Sequence, residues 1–134
     1  MTLGLTFDTS ALIALERNRQ RAAKVFRAAR DARLPVTVPT VVIAEWVRAG
    51  AGERARERLL HSMIIEPLTR DIAEKAGRAI GAGRDLAPDT GTIDAIVIAS
   101  AWLRGDTIVT ADVGDMYRLR DAFPPFAGVQ IERV

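Results

Sequence analysis

The stretch that most constrains the fold is Gly91 to Asp115, GTIDAIVIASAWLRGDTIVTADVGD, which reads as a helix, a tight turn and a strand. Ile93, Ile96, Val97, Ser100, Ala101 and Leu103 recur at mostly apolar helical spacing. Thr90 or Thr92 can cap the start of this helix, and Gly105 suits a left-handed stop. Thr107-Ile108-Val109-Thr110 is β-branched throughout and predicts a short buried strand. A carboxylate stands at each end of the unit, Asp94 in the first helical turn and Asp112 just past the strand.

Simple geometry makes those two acids neighbours. From Asp94 to Gly105 a helix rises roughly 16 Å, at ~1.5 Å per residue. A four-residue strand returns about 13 Å. If the chain reverses at Gly105-Asp106, Asp112 comes back beside Asp94. Asp94 alone could simply favour a helix N-terminus, and Asp112 alone could open a turn. What matters is whether further acids reach the same edge.

Two do. Leu3-Gly4-Leu5-Thr6-Phe7 predicts a first strand that ends at Asp8, ahead of a helix from Ala11 to about Arg17 with Leu12, Ile13 and Leu15 inward. Thr9 and Ser10 can cap that helix, so Asp8 is not needed for the purpose. A helix from about Gln20 to Arg33 follows, with Val25, Phe26 and Ala29 as its apolar stripe. Pro35 to Val38 then predicts a second strand, and Pro39 fits the first turn of a helix reaching about Ala49. That helix carries Glu45 among Val41, Val42 and Ala49, with only Arg48 placed to pair with it locally. Such an acid is out of pattern unless it has a task or a partner.

The remaining chain continues the alternation. A basic helix spans Glu53 to His61, a strand Met63 to Ile65, and a Thr69-capped helix Arg70 to about Gly81. Gly81, Gly83, Pro88 and Gly91 suggest the loop leading to the central unit. After Asp112 come a short helix from Asp115 to about Phe123, a stop at Pro124-Pro125, and a fifth, edge strand over Val129 to Ile131. Strands alternating with helices define an α/β class with a mainly parallel sheet and right-handed crossovers. The length of 134 residues is that of one domain, taken as residues 1–134.

In a parallel α/β sheet the carboxyl ends of strands and the starts of helices share one edge. Asp8, Glu45, Asp94 and Asp112 all stand at such places, with Asp115 a possible fifth. Converging carboxylates repel: at an effective dielectric near 20, two charges ~4 Å apart cost about 4 kcal/mol. Either some protonate or a divalent cation neutralises them. An all-oxygen donor set without His or Cys points to Mg²⁺ or Mn²⁺. The single histidine, His61, lies far from these motifs, which argues against serine-triad and histidine acid–base chemistry.

Composition narrows the setting. The chain has no cysteine, which removes disulfides, thiolate catalysis and Cys-based zinc sites and fits the cytoplasm. Met1-Thr2-Leu3 lacks a basic n-region and a signal-peptide core, and no apolar run approaches the ~20 residues needed to span a bilayer, so no membrane association is expected. Net charge is only +2 but unevenly placed. Arg17 to Arg58 holds eleven basic residues against four acids, whereas Leu59 to Val134 holds eight against eleven. A basic half beside an acidic one suits a polyanion held over a metal site. Arg17, Arg19, Arg21, Arg54, Arg56 and Arg58 are the candidate phosphate contacts, if they are not merely the solvated faces of amphipathic helices.

Phe7-Asp8-Thr9-Ser10-Ala11-Leu12, Glu45 within Ile-Ala-Glu-Trp, Asp94-Ala-Ile-Val-Ile-Ala-Ser-Ala101 and Thr110-Ala111-Asp112, taken in that order, resemble the PIN-domain ribonucleases, and among them the VapC toxins of bacterial type II toxin–antitoxin pairs. The resemblance spans essentially the whole chain. Where the family often shows Thr-Arg-Asp, this sequence has Thr110-Ala111-Asp112, without the arginine. The resemblance implies a five-stranded parallel sheet between helices and endonucleolytic cleavage of RNA at an acidic Mg²⁺ site, by a metal-activated water. Asp8, Glu45, Asp94 and Asp112 would form that site, and Asp115 would hold a second ion or bridge through water. Ser10 and Thr110 would be supporting hydroxyls. It also implies a small antitoxin as partner and a homodimer. The sequence adds a motive for the partner, because Leu12, Leu15, Val25 and Phe26 give the first two helices apolar residues beyond one stripe, a possible groove for an amphipathic helix.

Other classes fit less well. A haloacid-dehalogenase-type phosphatase needs an acid two residues after the first, where Ser10 stands. A response-regulator receiver needs a lysine late in the sheet, and Lys24 and Lys75 sit elsewhere. A PIN-like module that binds RNA or a partner without cutting remains the alternative.

Overall fold

The computed structural model describes residues 2–83 and 91–134. Met1, and Pro88 and Thr90, named above as a loop residue and a helix cap, lie outside the described residues. The elements run β1 (Leu5–Phe7), α1 (Thr9–Glu16), α2 (Gln20–Asp31), β2 (Val36–Pro39), α3 (Thr40–Arg48), α4 (Glu53–Leu60), β3 (Ile64–Glu66), α5 (Arg70–Ala82), α6 (Thr92–Arg104), β4 (Thr107–Thr110), α7 (Val113–Ala122), a 3₁₀ turn (Pro124–Phe126) and β5 (Ile131–Arg133).

The strands form one sheet in the order β3-β2-β1-β4-β5, and every pairing is parallel. β1 lies at the centre, with Leu5 opposite both Val36 and Thr107 and Phe7 opposite Val109. β1, β2 and β4 are buried throughout, as expected for strands covered by helices on both faces. Strand order reverses between β1 and β4, so the crevice beyond their carboxyl ends is the topological switch point. Asp8 follows β1 directly and Asp112 lies two residues past β4.

One face of the sheet is packed by α1 and α2, where the Phe7 and Phe26 rings meet edge to face at 6.2 Å. α6 is buried almost continuously from Ala95 to Ala101, which is why its apolar residues exceed a single stripe. It ends at Gly105, whose φ of +77° is the left-handed stop read from the sequence.

Several boundaries differ from the sequence reading, each for a local reason. β1 begins at Leu5 because only Leu5 to Phe7 find partner residues in β2 and β4, and Leu3 is exposed. Asp8, not Thr9 or Ser10, caps α1: its carboxylate accepts from the Ala11 backbone N–H at 2.9 Å. Thr9 and Ser10 lie inside the helix and turn their hydroxyls to other acids. Gly91 takes the cap position of α6 without a side-chain bond, leaving Thr92 as the first helical residue. Pro39 closes β2 rather than opening α3, and α7 starts at Val113. β5 is displaced by two residues from Val129–Ile131, because pairing to β4 begins at Ile131 opposite Ile108. It is an edge strand, and β3 is the other edge.

Candidate active site

Asp8, Thr9, Ser10, Ile13, Glu45, Asp94, Asp112 and Asp115 line a single pocket of about 220 Å³ at the switch point. Each acid comes from a different place in the chain. Asp8 caps α1, Glu45 projects from α3, Asp94 sits in the first turn of α6, Asp112 precedes α7 without a side-chain capping bond and Asp115 lies in its first turn. The acids proposed from sequence as one set are thus drawn around one pocket, together with Ser10; Thr110 is fully buried beside it.

Asp8 is the deepest of them. Its Oδ1 accepts from the Ser10 hydroxyl at 2.8 Å as well as from the Ala11 N–H. Ser10 Oγ stands 3.1 Å from Thr110 Oγ1 and accepts from the Ala111 N–H at 2.8 Å. Thr110 Oγ1 in turn accepts from the Asp112 N–H at 3.0 Å. One short chain of hydroxyls therefore ties the end of β1 to the turn after β4. Sequence reading missed Thr9, which donates to Glu45 Oε1 at 2.7 Å and holds that acid across from α1. Its one signal in the sequence is a hydroxyl beside Asp8, at a place that equally suits a cap. Arg48 comes only to 4.0 Å from Glu45 and is itself exposed, so Glu45 lacks a close local counter-ion. Asp115 is paired with Arg118 on the next turn.

The electrostatics are those of crowding. Burial pushes the Asp8 carboxyl above its usual range; the Thr110, Ala11 and Ser10 hydrogen bonds oppose this, and the charge of Asp112 adds to it. The Asp94 carboxyl is pushed up to about 7, first by burial and then by the charges of Asp8, Asp115, Glu45 and Asp112. A carboxylate that feels four others fits a hard divalent cation by its donor chemistry. Among the described residues, however, no group of three or more Asp, Glu, His or Cys side chains is arranged to hold a metal ion as it stands. The acids share a pocket without being drawn together into a ligand set.

The candidate phosphate contacts separate into two groups. Arg17, Arg19 and Arg21 line a groove of about 520 Å³ with Ser10, Ile13, Ala14, Ala111 and Val134. Arg54, Arg56 and Arg58 lie on α4 and line neither this groove nor the acid pocket. The groove expected from Leu12, Leu15, Val25 and Phe26 is not formed by those residues. Leu12, Leu15 and Phe26 are buried in the core and Val25 packs against it, since α1 closes onto β1 and α3 and Phe26 of α2 meets Phe7 of β1.

The sequence profile of the PIN domain matches residues 5–121, and the chain belongs to the PIN domain family. A toxin–antitoxin complex from Klebsiella pneumoniae contains a chain 25% identical to this one, with a TM-score of 0.66 over 84% of this chain and 90% of that one. VapBC2 from Rickettsia felis, solved bound to a DNA fragment from its promoter, superposes with a TM-score of 0.78 at 12% identity, covering 97% and 98% of the two chains. DNA-bound VapBC from Salmonella typhimurium gives 0.77 at 17% identity, covering 98% of each. The last two likenesses are of fold. No curated protein matches the sequence significantly. Among the described residues no helix is long and apolar enough to cross a membrane.

Proposed function

We propose that this chain is the toxin of a type II toxin–antitoxin pair and acts as a Mg²⁺- or Mn²⁺-dependent endoribonuclease. The observation that carries the reading is the pocket lined by Asp8, Glu45, Asp94, Asp112 and Asp115 at the switch point of a PIN-domain sheet. Asp8, Glu45, Asp94 and Asp112 would hold the ion, with Asp115 contributing directly or through water. When bound, such an ion supplies Lewis-acid activation of water and offsets charge building on the phosphate. The chain's own groups do the rest. Ser10 and Ala11 both donate to Oδ1 of Asp8 and fix that carboxylate. Thr9 orients Glu45. Asp94, its carboxyl pushed up first by burial and then by the neighbouring acids, would be relieved by an arriving cation.

The similarity to toxin–antitoxin complexes supports a small antitoxin as partner. The test is cleavage of single-stranded RNA by the purified chain with Mg²⁺ or Mn²⁺. Asp8→Asn and Asp94→Asn should each reduce cleavage by at least about a hundredfold while leaving the far-UV spectrum unchanged, because each removes a ligand charge and neither removes core volume. Full cleavage by both variants at limiting Mg²⁺ would refute the proposal. RNA bound but left uncut at saturating metal would make the chain a non-cleaving RNA-binding module instead.

A further inference from the structure

We infer that the groove rimmed by Arg17, Arg19 and Arg21 is the seat of the RNA strand next to the scissile phosphate, and that the arginines of α4 are not part of that grip. This inference rests on the ribonuclease reading above and assigns it a strand path.

The first support is continuity. The groove and the acid pocket share Ser10 and Ile13, so a strand with one phosphate at the acids runs directly into the groove. Its volume of about 520 Å³ falls within the roughly 300–1,000 Å³ of sites that enclose small ligands. That is room for a nucleotide unit beside the reacting one.

The second support is charge. Arg17, Arg19 and Arg21 are exposed, and none makes an ion pair among the described residues. The adjacent acid, Glu16, is engaged elsewhere: it accepts from Trp46 Nε1 at 3.0 Å. The first turn of α2 contains Arg21 and no acid, the reverse of what favours a helix start. A polyanion alongside would relieve that local repulsion.

The third support is rigidity. Arg17 and Arg19 flank Asn18, which takes a left-handed φ of +54° that asparagine tolerates better than most residues. The Arg17 N–H donates to the Ile13 carbonyl at 3.0 Å and the Arg19 N–H to the Ala14 carbonyl at 2.9 Å. The turn is therefore pinned to the end of α1, and its arginines are presented from a fixed backbone. The floor is Ile13, Ala14, Ala111 and Val134, and among the described residues no aromatic ring lines the groove. Base stacking of the kind that gives single-strand binders much of their affinity is absent. The groove should hold phosphates and be indifferent to base identity.

The test uses the full chain carrying Asp94→Asn, in Mg²⁺ buffer, and fluorescein-labelled oligo-U and oligo-A RNA as probes, with affinity read by anisotropy across a salt series. The combined Arg17→Ala, Arg19→Ala and Arg21→Ala variant should weaken binding of both probes at least tenfold at ~0.1 M salt. It should also flatten the log–log salt slope by about 2, the value for three phosphates on a single strand. The Arg→Lys triple should recover most of the slope, which also guards against misfolding of the alanine protein. The Arg54→Ala, Arg56→Ala and Arg58→Ala triple should change affinity less than threefold. Equal losses in both alanine triples would show a diffuse electrostatic grip and overturn the assignment. An unchanged slope in the groove triple would leave the groove to a protein partner and overturn it equally. Failure of the ribonuclease reading shows separately, as absent cleavage by the unsubstituted chain, whatever these binding curves show.

Discussion

Two polar clusters in this molecule handle buried charge in opposite ways. At the carboxyl edge of the sheet, acids surround one pocket and Asp94 feels the charge of four others. Near the far end of α6, Arg104 donates Nε–H to Asp106 at 2.9 Å, and its two terminal amino groups to Ser100 and Thr6 at 2.6 Å each, while also pairing with Glu66. Thr6 donates to Asp106 at 2.8 Å and Ser100 to Glu66 at 2.5 Å. Among the described residues no buried side-chain polar atom lacks a partner. The same helix thus joins a frustrated cluster at its start to a satisfied one at its end. Glu66 and Asp106 share one cation and a closed set of hydrogen bonds, whereas the acids at the sheet edge repel one another.

The comparison can be broken most easily at Arg104. Arg104→Met should destabilise the protein by about 3–5 kcal/mol in urea unfolding, because it strands Asp106 and Glu66 without their cation. A loss below about 1 kcal/mol would mean the network is not the anchor it looks to be. The next effect belongs to the other cluster. Mg²⁺ at a hundred times its dissociation constant should stabilise the unsubstituted chain by about 2.7 kcal/mol, read as a rise in Tm, and Asp94→Asn should lose most of that rise. No rise in either protein would remove the cation from the account.

Without metal the sign reverses. The Asp94 carboxyl is pushed up to about 7 in the folded chain, well above its ordinary value near 3.8, so between those pH values the folded state binds more protons than the unfolded one. The contribution of Asp94 to stability is therefore fully present below about pH 4 and is lost as pH rises through 7. Solvent reaches this half-buried group, so the loss is on the order of 2 kcal/mol. Burial raises Asp8 as well, which adds in the same direction. Asp94→Asn in metal-free buffer should flatten this part of the stability–pH curve, and a curve identical to that of the unsubstituted chain would contradict the crowding. The smallest effect is expected at Arg118→Ala. Its pair with Asp115 is largely exposed, so the change should stay under about 1 kcal/mol.

Local sequence showed one of these clusters far better than the other. Asp8, Asp94 and Asp112 follow strands or open helices, positions that topology alone sends to one edge, so their meeting could be read without any contact. The Arg104 network joins residues about a hundred positions apart, Thr6 to Asp106 and Thr6 to Arg104, and no local pattern encodes such a pairing. Ser100 was visible only as a polar residue on an apolar face. The apolar excess on α1 and α2 was misread as a groove for a related reason: periodicity says which residues turn inward, not how deep the inside is. β5 slipped because Val129 and Ile131 look alike in sequence, while the register is set by partners on β4.

Asp8 is both the hydrogen-bonded cap of α1 and a wall of the acid pocket, and this decides what genetics at that codon would report. Asparagine caps a helix about as well as aspartate, whereas alanine forfeits about 1 kcal/mol with the cap. A screen that counts soluble, folded product should pass Asp8→Asn and penalise Asp8→Ala, while a screen that counts surviving activity should reject both.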